Sequence, residues 1–263
     1  MADKATQTAA PAAPQPAAAP PATWFIHTTS LRCIDQQETN ATHGDEVYVA
    51  SIKFRTRPGV VGTTSTAFTG GLSDISDVNT GETKFLPIAM GRVPFTNVTR
   101  LGFAELQAGQ VPEVIGTATV LVESDRSADK AVNKLFTEAA AEVKPILAEV
   151  SESLSIGDVL DGGPELGAAI ADLLTQINDV LKPTLLEKIG AFFGGLGDPD
   201  DQIARKLNIF MAVDDVLAPF VDAAIADVLD PDDGVGGGLR TRNYTQRFDG
   251  SGAKYELSFN ITK

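Results

Sequence analysis

The chain has 263 residues, enough for one or two domains and for a large core without disulfide or metal staples. Asp and Glu number 35 against 21 Lys and Arg, a formal net charge of −14 that argues against a nucleic-acid binder. Cys33 is the single cysteine, which excludes an intrachain disulfide and a cysteine-based zinc site, and two histidines are too few for a His-rich metal centre.

Residues 1–23 hold ten Ala and five Pro, with no bulky apolar side chain between Met1 and Trp24. Spaced prolines remove backbone donors and fix φ, so this segment reads as an extended, disordered tether. It lacks the apolar core of a secretory signal. The longest relevant apolar stretch, 189–197, falls far short of the roughly 20 residues of a membrane span. These two features predict a cytoplasmic or non-classically exported protein.

From Trp24 onward the pattern is β. Strands are expected at 24–34, 46–57, 84–90, 98–104 and 114–123. In 46–57, Tyr48, Ala50, Ile52 and Phe54 alternate with Lys53, Arg55 and Arg57, which predicts the first set inside and the second in water. The β-branched run around Val114, Ile115, Thr117, Thr119 and Val120 reads as a buried central strand. Pro58-Gly59, Gly70-Gly71 and Asn79-Thr80-Gly81 read as turns.

Between Ser127 and Asp233 the spacing becomes helical, through Val132, Leu135, Phe136, Val143 and Leu147, then Leu166, Ile170 and Leu173, then Val216, Phe220 and Val221. Leu207, Ile209, Met211 and Val213 alternate and could form a strand inside this block. Residues 127–233 carry 7 Lys and Arg against 21 Asp and Glu, so the net −14 resides here and the remainder is neutral. Gly234 and Gly236 to Gly238 lead back to β pattern. A hairpin at Asp249-Gly250-Ser251-Gly252 joins 240–248 to 254–262, where Tyr255, Leu257, Phe259 and Ile261 alternate with polar residues. The fold expected is therefore α+β: an antiparallel β-sandwich over 24–126 and 234–263, carrying a large acidic α-helical insertion at 127–233.

No catalytic motif emerges. G-x-S-x-G is absent, and the only bases of histidine type are His27 and His43. Cys33 sits in a strand and reads as a buried structural thiol. Gly234-Val235-Gly236-Gly237-Gly238 lacks the Lys-Ser/Thr of a nucleotide loop. Calcium is the ligand with a candidate donor set, because hard cations take several carboxylate oxygens from loops. Asp35 and Glu38 begin one loop, Asp45 and Glu46 close it, and Asp198, Asp200 and Asp201 form a second cluster. Through Cys33-Ile34-Asp35, Asp45-Glu46-Val47-Tyr48 and Asp200-Asp201-Gln202-Ile203, the β frame resembles C2-type calcium-binding β-sandwich domains. That resemblance implies a metal site at Asp35, Asp45, Glu46, Asp198, Asp200 and Asp201. The function expected is a non-catalytic binding or assembly module with a protein partner. Its alternative is a membrane-active, toxin-like protein whose helical block rearranges, and a third reading is an enzyme with an unrecognised site.

Overall fold

The computed structural model describes residues 20–36, 45, 47–71, 78–123, 137–138, 141–149, 202–221, 236–237, 242–250 and 252–263, with single positions at 175, 179, 187 and 191. The fold consists mostly of antiparallel strands in two sheets. In the first sheet, β1 (Ala22–Asp35) pairs with β10 (Ala253–Thr262), which pairs with β9 (Arg242–Gly250). The other edge of β1 is shared by β4 (Thr83–Phe85) along Ser30 to Arg32 and β5 (Arg92–Val98) along Ala22 to His27. The second sheet runs β3 (Ser65–Gly71), β2 (Val47–Thr56), β6 (Val114–Glu123), β7 (Gln202–Met211) and β8 (Gly236–Gly237). Within it only the short β7–β8 pairing is parallel.

The alternation of β10 is realised as expected. Ala253, Tyr255, Leu257, Phe259 and Ile261 are buried, and the residues between them are partly or fully exposed. Strand β1 changes phase once. Trp24, Ile26 and Thr28 face inward, a bulge falls between Thr28 and Ser30, and Leu31 and Cys33 then face inward. Leu31, Cys33, Tyr255, Leu257 and Phe259 of the first sheet share one apolar cluster with Val47, Val49 and Leu121 of the second. A second cluster joins Trp24, Ile26 and Ile261 to Ile115 and Phe210. The two sheets therefore stack over a common core.

The inward face of β2 differs from the expectation. Val47 and Val49 meet the first sheet, and Lys53 on the same face reaches Thr28. Tyr48, Ala50, Ile52 and Phe54 occupy the opposite face and are buried as well. A strand covered on both faces carries no period-two signal of inside and outside. Val120, Leu207, Ile209 and Met211, beside them in the same sheet, are also buried, as are Val143 and Leu147 of the helical stretch 141–149.

Three further expectations change. The segment 84–90 divides into β4 and the short helix α1 (Ile88–Gly91), with Pro87 supplying its fixed φ at the helix start. The segment 98–104 is not a strand. Asn97 takes a φ of 57°, β5 ends at Val98, and α2 (Phe103–Gln107) follows. Strand β3 occupies 65–71, where Gly70-Gly71 suggested a turn.

The block 127–233 is not helical throughout, since β7 lies inside it and completes the second sheet beside β6. A large acidic helical insertion is not what the described residues show. Helical positions there are 137–138, 141–149, 175, 179, 187, 191 and 218–221. Most of the expected tether, 1–19, lies outside the described residues, and its last two residues, Ala22 and Thr23, belong to β1. Among the described residues no helix is long and apolar enough to cross a membrane.

Gly116 shows how tightly the central pair is packed. It stands opposite Phe54 in the β2–β6 register, and a Cβ there would overlap the Phe54 ring and fall 2.8 Å from the Asn208 carbonyl oxygen. Overpacking of this kind costs roughly 1–3 kcal/mol. Gly116→Ala is expected to lower the unfolding free energy by that amount, read in urea as a lower midpoint with an unchanged slope.

Candidate functional site

A polar band crosses the interior between the two apolar clusters. On β6 the inward order is Ile115, Thr117, Thr119, Leu121, with apolar residues at both ends and hydroxyls between. Register sets Ser51 and Lys53 of β2 beside Thr119 and Thr117, and Asn208 of β7 beside Thr117. All are buried, together with Thr28 of β1 and Gln246 of β9. The hydroxyls of Ser51 and Thr119 lie 2.8 Å apart. Asn208 Nδ2 donates to Gln246 Oε1 at 2.6 Å, which ties the second sheet to the first. A buried polar group left without a partner is costly, and these satisfy one another.

Lys53 is the charged member of the band and is 0% exposed. Its Nζ donates to the Gly91 carbonyl and to Thr28 Oγ1 at 3.4 Å. Desolvation pulls its pKa down to about 7. His27 lies on the outer face of β1, opposite Arg92 and Asn260. Its pKa is lowered by burial first, then by the Lys53 and Arg92 cations, and its Nε2 is buried without a hydrogen-bond partner among the described residues. The Arg92 guanidinium stacks over the Phe25 ring at 3.7 Å. His43 lies outside the described residues.

The calcium candidates divide. Asp45 is buried, forms a bridge with Val78, and accepts a hydrogen bond from the Tyr255 hydroxyl. Asp35 is largely exposed and stands 3.9 Å from Lys254 Nζ. Glu38, Glu46, Asp198, Asp200 and Asp201 lie outside the described residues. Among the described residues no group of three or more His, Cys, Asp or Glu is placed to hold a metal. Cys33 is fully buried, and burial raises its pKa, with the neighbouring Tyr255 hydroxyl opposing that rise. A thiol so placed is a poor nucleophile.

Two features at the opposite end of the second sheet escaped the sequence pattern. Arg55 and Arg57, expected in water, both hold the buried Glu113. Arg55 Nε is 2.6 Å and Arg57 Nη2 2.8 Å from its two oxygens. Arg55 also donates to the carbonyls of Thr96 and Asn97, which fastens β5 of the first sheet to β2.

The second feature is an apolar patch. Leu101 bridges Val213, and Asp214 Oδ1 caps the turn that follows by accepting from the Val216 and Leu217 amides. Phe103 follows the first of these joined segments and Val216 and Phe220 follow the second, exposed at 46%, 70% and 63%. Val60 and Val61 are exposed in the β2–β3 loop at the same end. The polar band had a faint signal, since Thr117 and Thr119 share one face of an otherwise apolar run. The patch had none, because Val216 and Phe220 fit an ordinary helical stripe.

No protein-family model, no curated protein and no solved structure matches the chain.

Glu113→Ala is expected to cost about 3 kcal/mol in denaturant unfolding, because removing one member of a buried ionic group strands the others. The double variant Arg55→Met with Glu113→Met should recover part of that loss.

Proposed function

We propose that this chain is a non-catalytic binding or assembly module. Its stacked sheets are the frame and the Phe103, Val216 and Phe220 patch is its contact surface. The observation that carries the reading is the coexistence of exposure and rigidity. These three side chains stand in water on a backbone pinned by the Leu101–Val213 bridge, the Asp214 cap and an Arg100–Asp215 pair at 3.5 Å. Large apolar side chains held outward cost solvation free energy and fit the core of a protein interface. The net charge of −14 defines the partner's chemistry: a protein with an apolar face rimmed by Lys and Arg. The same charge opposes binding to anionic lipid.

The test is crosslinking in the native cells, with the chain carrying Val216→Asp and Phe220→Asp compared with wild type. A crosslinked protein is then purified and reconstituted with the chain. The expected result is one basic partner, lost from the variant, whose affinity falls as salt rises. Identical crosslinks for both chains, or dye leakage from anionic liposomes on acidification, would overturn the reading, the leakage in favour of the membrane-active alternative.

A calcium-dependent form of this module rests on strand order. Val47 pairs with Glu123 and Val122 with Gln202, so the chain enters β2 and β7 at one end, directly after Asp45-Glu46 and Asp200-Asp201. Millimolar calcium is then expected to raise the melting temperature by mass action, and Asp200→Asn with Asp201→Asn to abolish the rise. An unchanged melting temperature removes calcium from the proposal.

A further inference from the structure

We propose that the outer face of the first sheet binds a neutral oligosaccharide, with Phe85 stacking on one sugar ring and the Asn243–Asn260 and Thr245–Ser258 pairs holding sugar hydroxyls. Register builds this face. Side chains directly opposite one another in neighbouring strands share a face, so the ladders set out rows across the sheet. One row is Phe85, Ser30, Ser258 and Thr245, running from β4 through β1 and β10 to β9. The row on one side of it is His27, Asn260 and Asn243. None of these side chains is buried, so the face is open to a ligand.

The charges on the other side of the hydroxyl row cancel. Arg32, Glu256 and Arg247 form the next row, and Asp35, Lys254 and Asp249 the one after it. Opposite signs therefore alternate both across the strands and along them. The pairs Arg32–Glu256, Arg247–Asp249 and Lys254–Asp35 close at 3.3, 3.0 and 3.9 Å. At the β5 edge the Arg92 guanidinium lies over the Phe25 ring. In a chain of net charge −14, β1, β9 and β10 thus present these six side chains with no excess of either sign. Such a surface gives no electrostatic preference to a phosphate, a basic protein segment or an anionic lipid. The ligand it suits is uncharged.

The uncharged groups of the face match a polyol. Asn is depleted in strands, yet two stand opposite each other here, and Asn260 Nδ2 donates to Asn243 Oδ1 at 2.5 Å. Each amide carries two donor hydrogens and two acceptor lone pairs, so this bond leaves groups of both kinds for a ligand. The Ser258 and Thr245 hydroxyls, 3.2 Å apart, can each donate and accept. Sugar hydroxyls do both as well, while the C–H groups of a sugar ring form an apolar face. Phe85, 81% exposed at the end of the hydroxyl row, offers a flat ring to that face. From Phe85 on β4 to Thr245 on β9 is three strand spacings, about 14 Å, more than one sugar spans. The occupant is therefore a chain of sugars and not a monosaccharide.

The full chain is tested on an array of oligosaccharides of glucose, xylose, mannose, galactose and N-acetylglucosamine, with charged glycans beside them, and each hit is measured by calorimetry. The expected result is binding to a neutral oligosaccharide longer than a disaccharide. Its affinity should be the same in about 0.1 and about 1 M NaCl, although the Debye length falls from about 10 to about 3 Å. Phe85→Ala, and separately Asn243→Ala with Asn260→Ala, should each weaken it about tenfold, a loss of about 1.4 kcal/mol. Both variants change exposed or half-buried side chains, and an unchanged melting temperature confirms that they fold. Val216→Asp with Phe220→Asp should bind the glycan as wild type does, which separates this face from the contact surface proposed above. No retained neutral glycan, binding confined to charged glycans, or full affinity in Phe85→Ala would each overturn the proposal. So would a concentration-dependent dimer that Phe85→Ala abolishes, since that outcome assigns the face to a second copy of the chain.

Discussion

The pairing of the first strand with the last is the constraint on which the remaining structure depends. Strand β1 pairs along its length with β10, from Phe25 opposite Thr262 to Asp35 opposite Lys254. These strands come from opposite ends of the described chain. Together they supply Trp24, Ile26, Leu31, Cys33, Tyr255, Leu257, Phe259 and Ile261 to the core. Neither apolar cluster can form until they meet. Loop-closure entropy must be overcome before that contact gives any return, so folding is expected to be slow and to complete late. Strands β4 and β5 dock on the far edge of β1, so they too depend on the same event.

The polar band gives the two sheets a defined alignment. A core filled only with aliphatic side chains tolerates sliding, whereas a buried donor must find its acceptor. Asn208 with Gln246, and Lys53 with Gly91 and Thr28, cross from one sheet to the other. A shift of one residue in either sheet would leave these groups buried and unsatisfied. Arg55 performs the same service nearer the edge, through the Thr96 and Asn97 carbonyls. Alignment is thus set by polar contacts and free energy is supplied by the apolar clusters on either side.

Legibility in the sequence followed the number of covered faces. Strand β10 has one wet face, and its alternation was read correctly down to the side chains. Strand β6 was legible by β-branching. Strand β2 was found but assigned the wrong inner face, because both of its faces are buried and its charged residues are paired inside. Lys53, Arg55 and Arg57 look like a solvent row until Gly91 and Glu113 are known, and those partners lie far away in sequence. Strand β7 gave an alternating signal that the helical context around it obscured. Asp45 reads in sequence as a loop carboxylate, yet it accepts from the hydroxyl of Tyr255, whose place in the alternation of β10 reads as plain core. Local pattern records periodicity and turn chemistry, but it does not record which distant group satisfies a buried charge.

The two ends of the second sheet differ in a way that composition alone conceals. Thr56, Val114 and Met211 align across β2, β6 and β7, so the segments beyond them emerge together. There the connecting segments carry Val61, Phe103, Val216 and Phe220 in water, while the buried carboxylate of Glu113 is held by two arginines. At the other end the chain passes through Asp45-Glu46, Glu123 to Asp125, and Asp198 to Asp201. One end therefore exposes apolar surface beside paired charge, and the other is entered through acidic sequence.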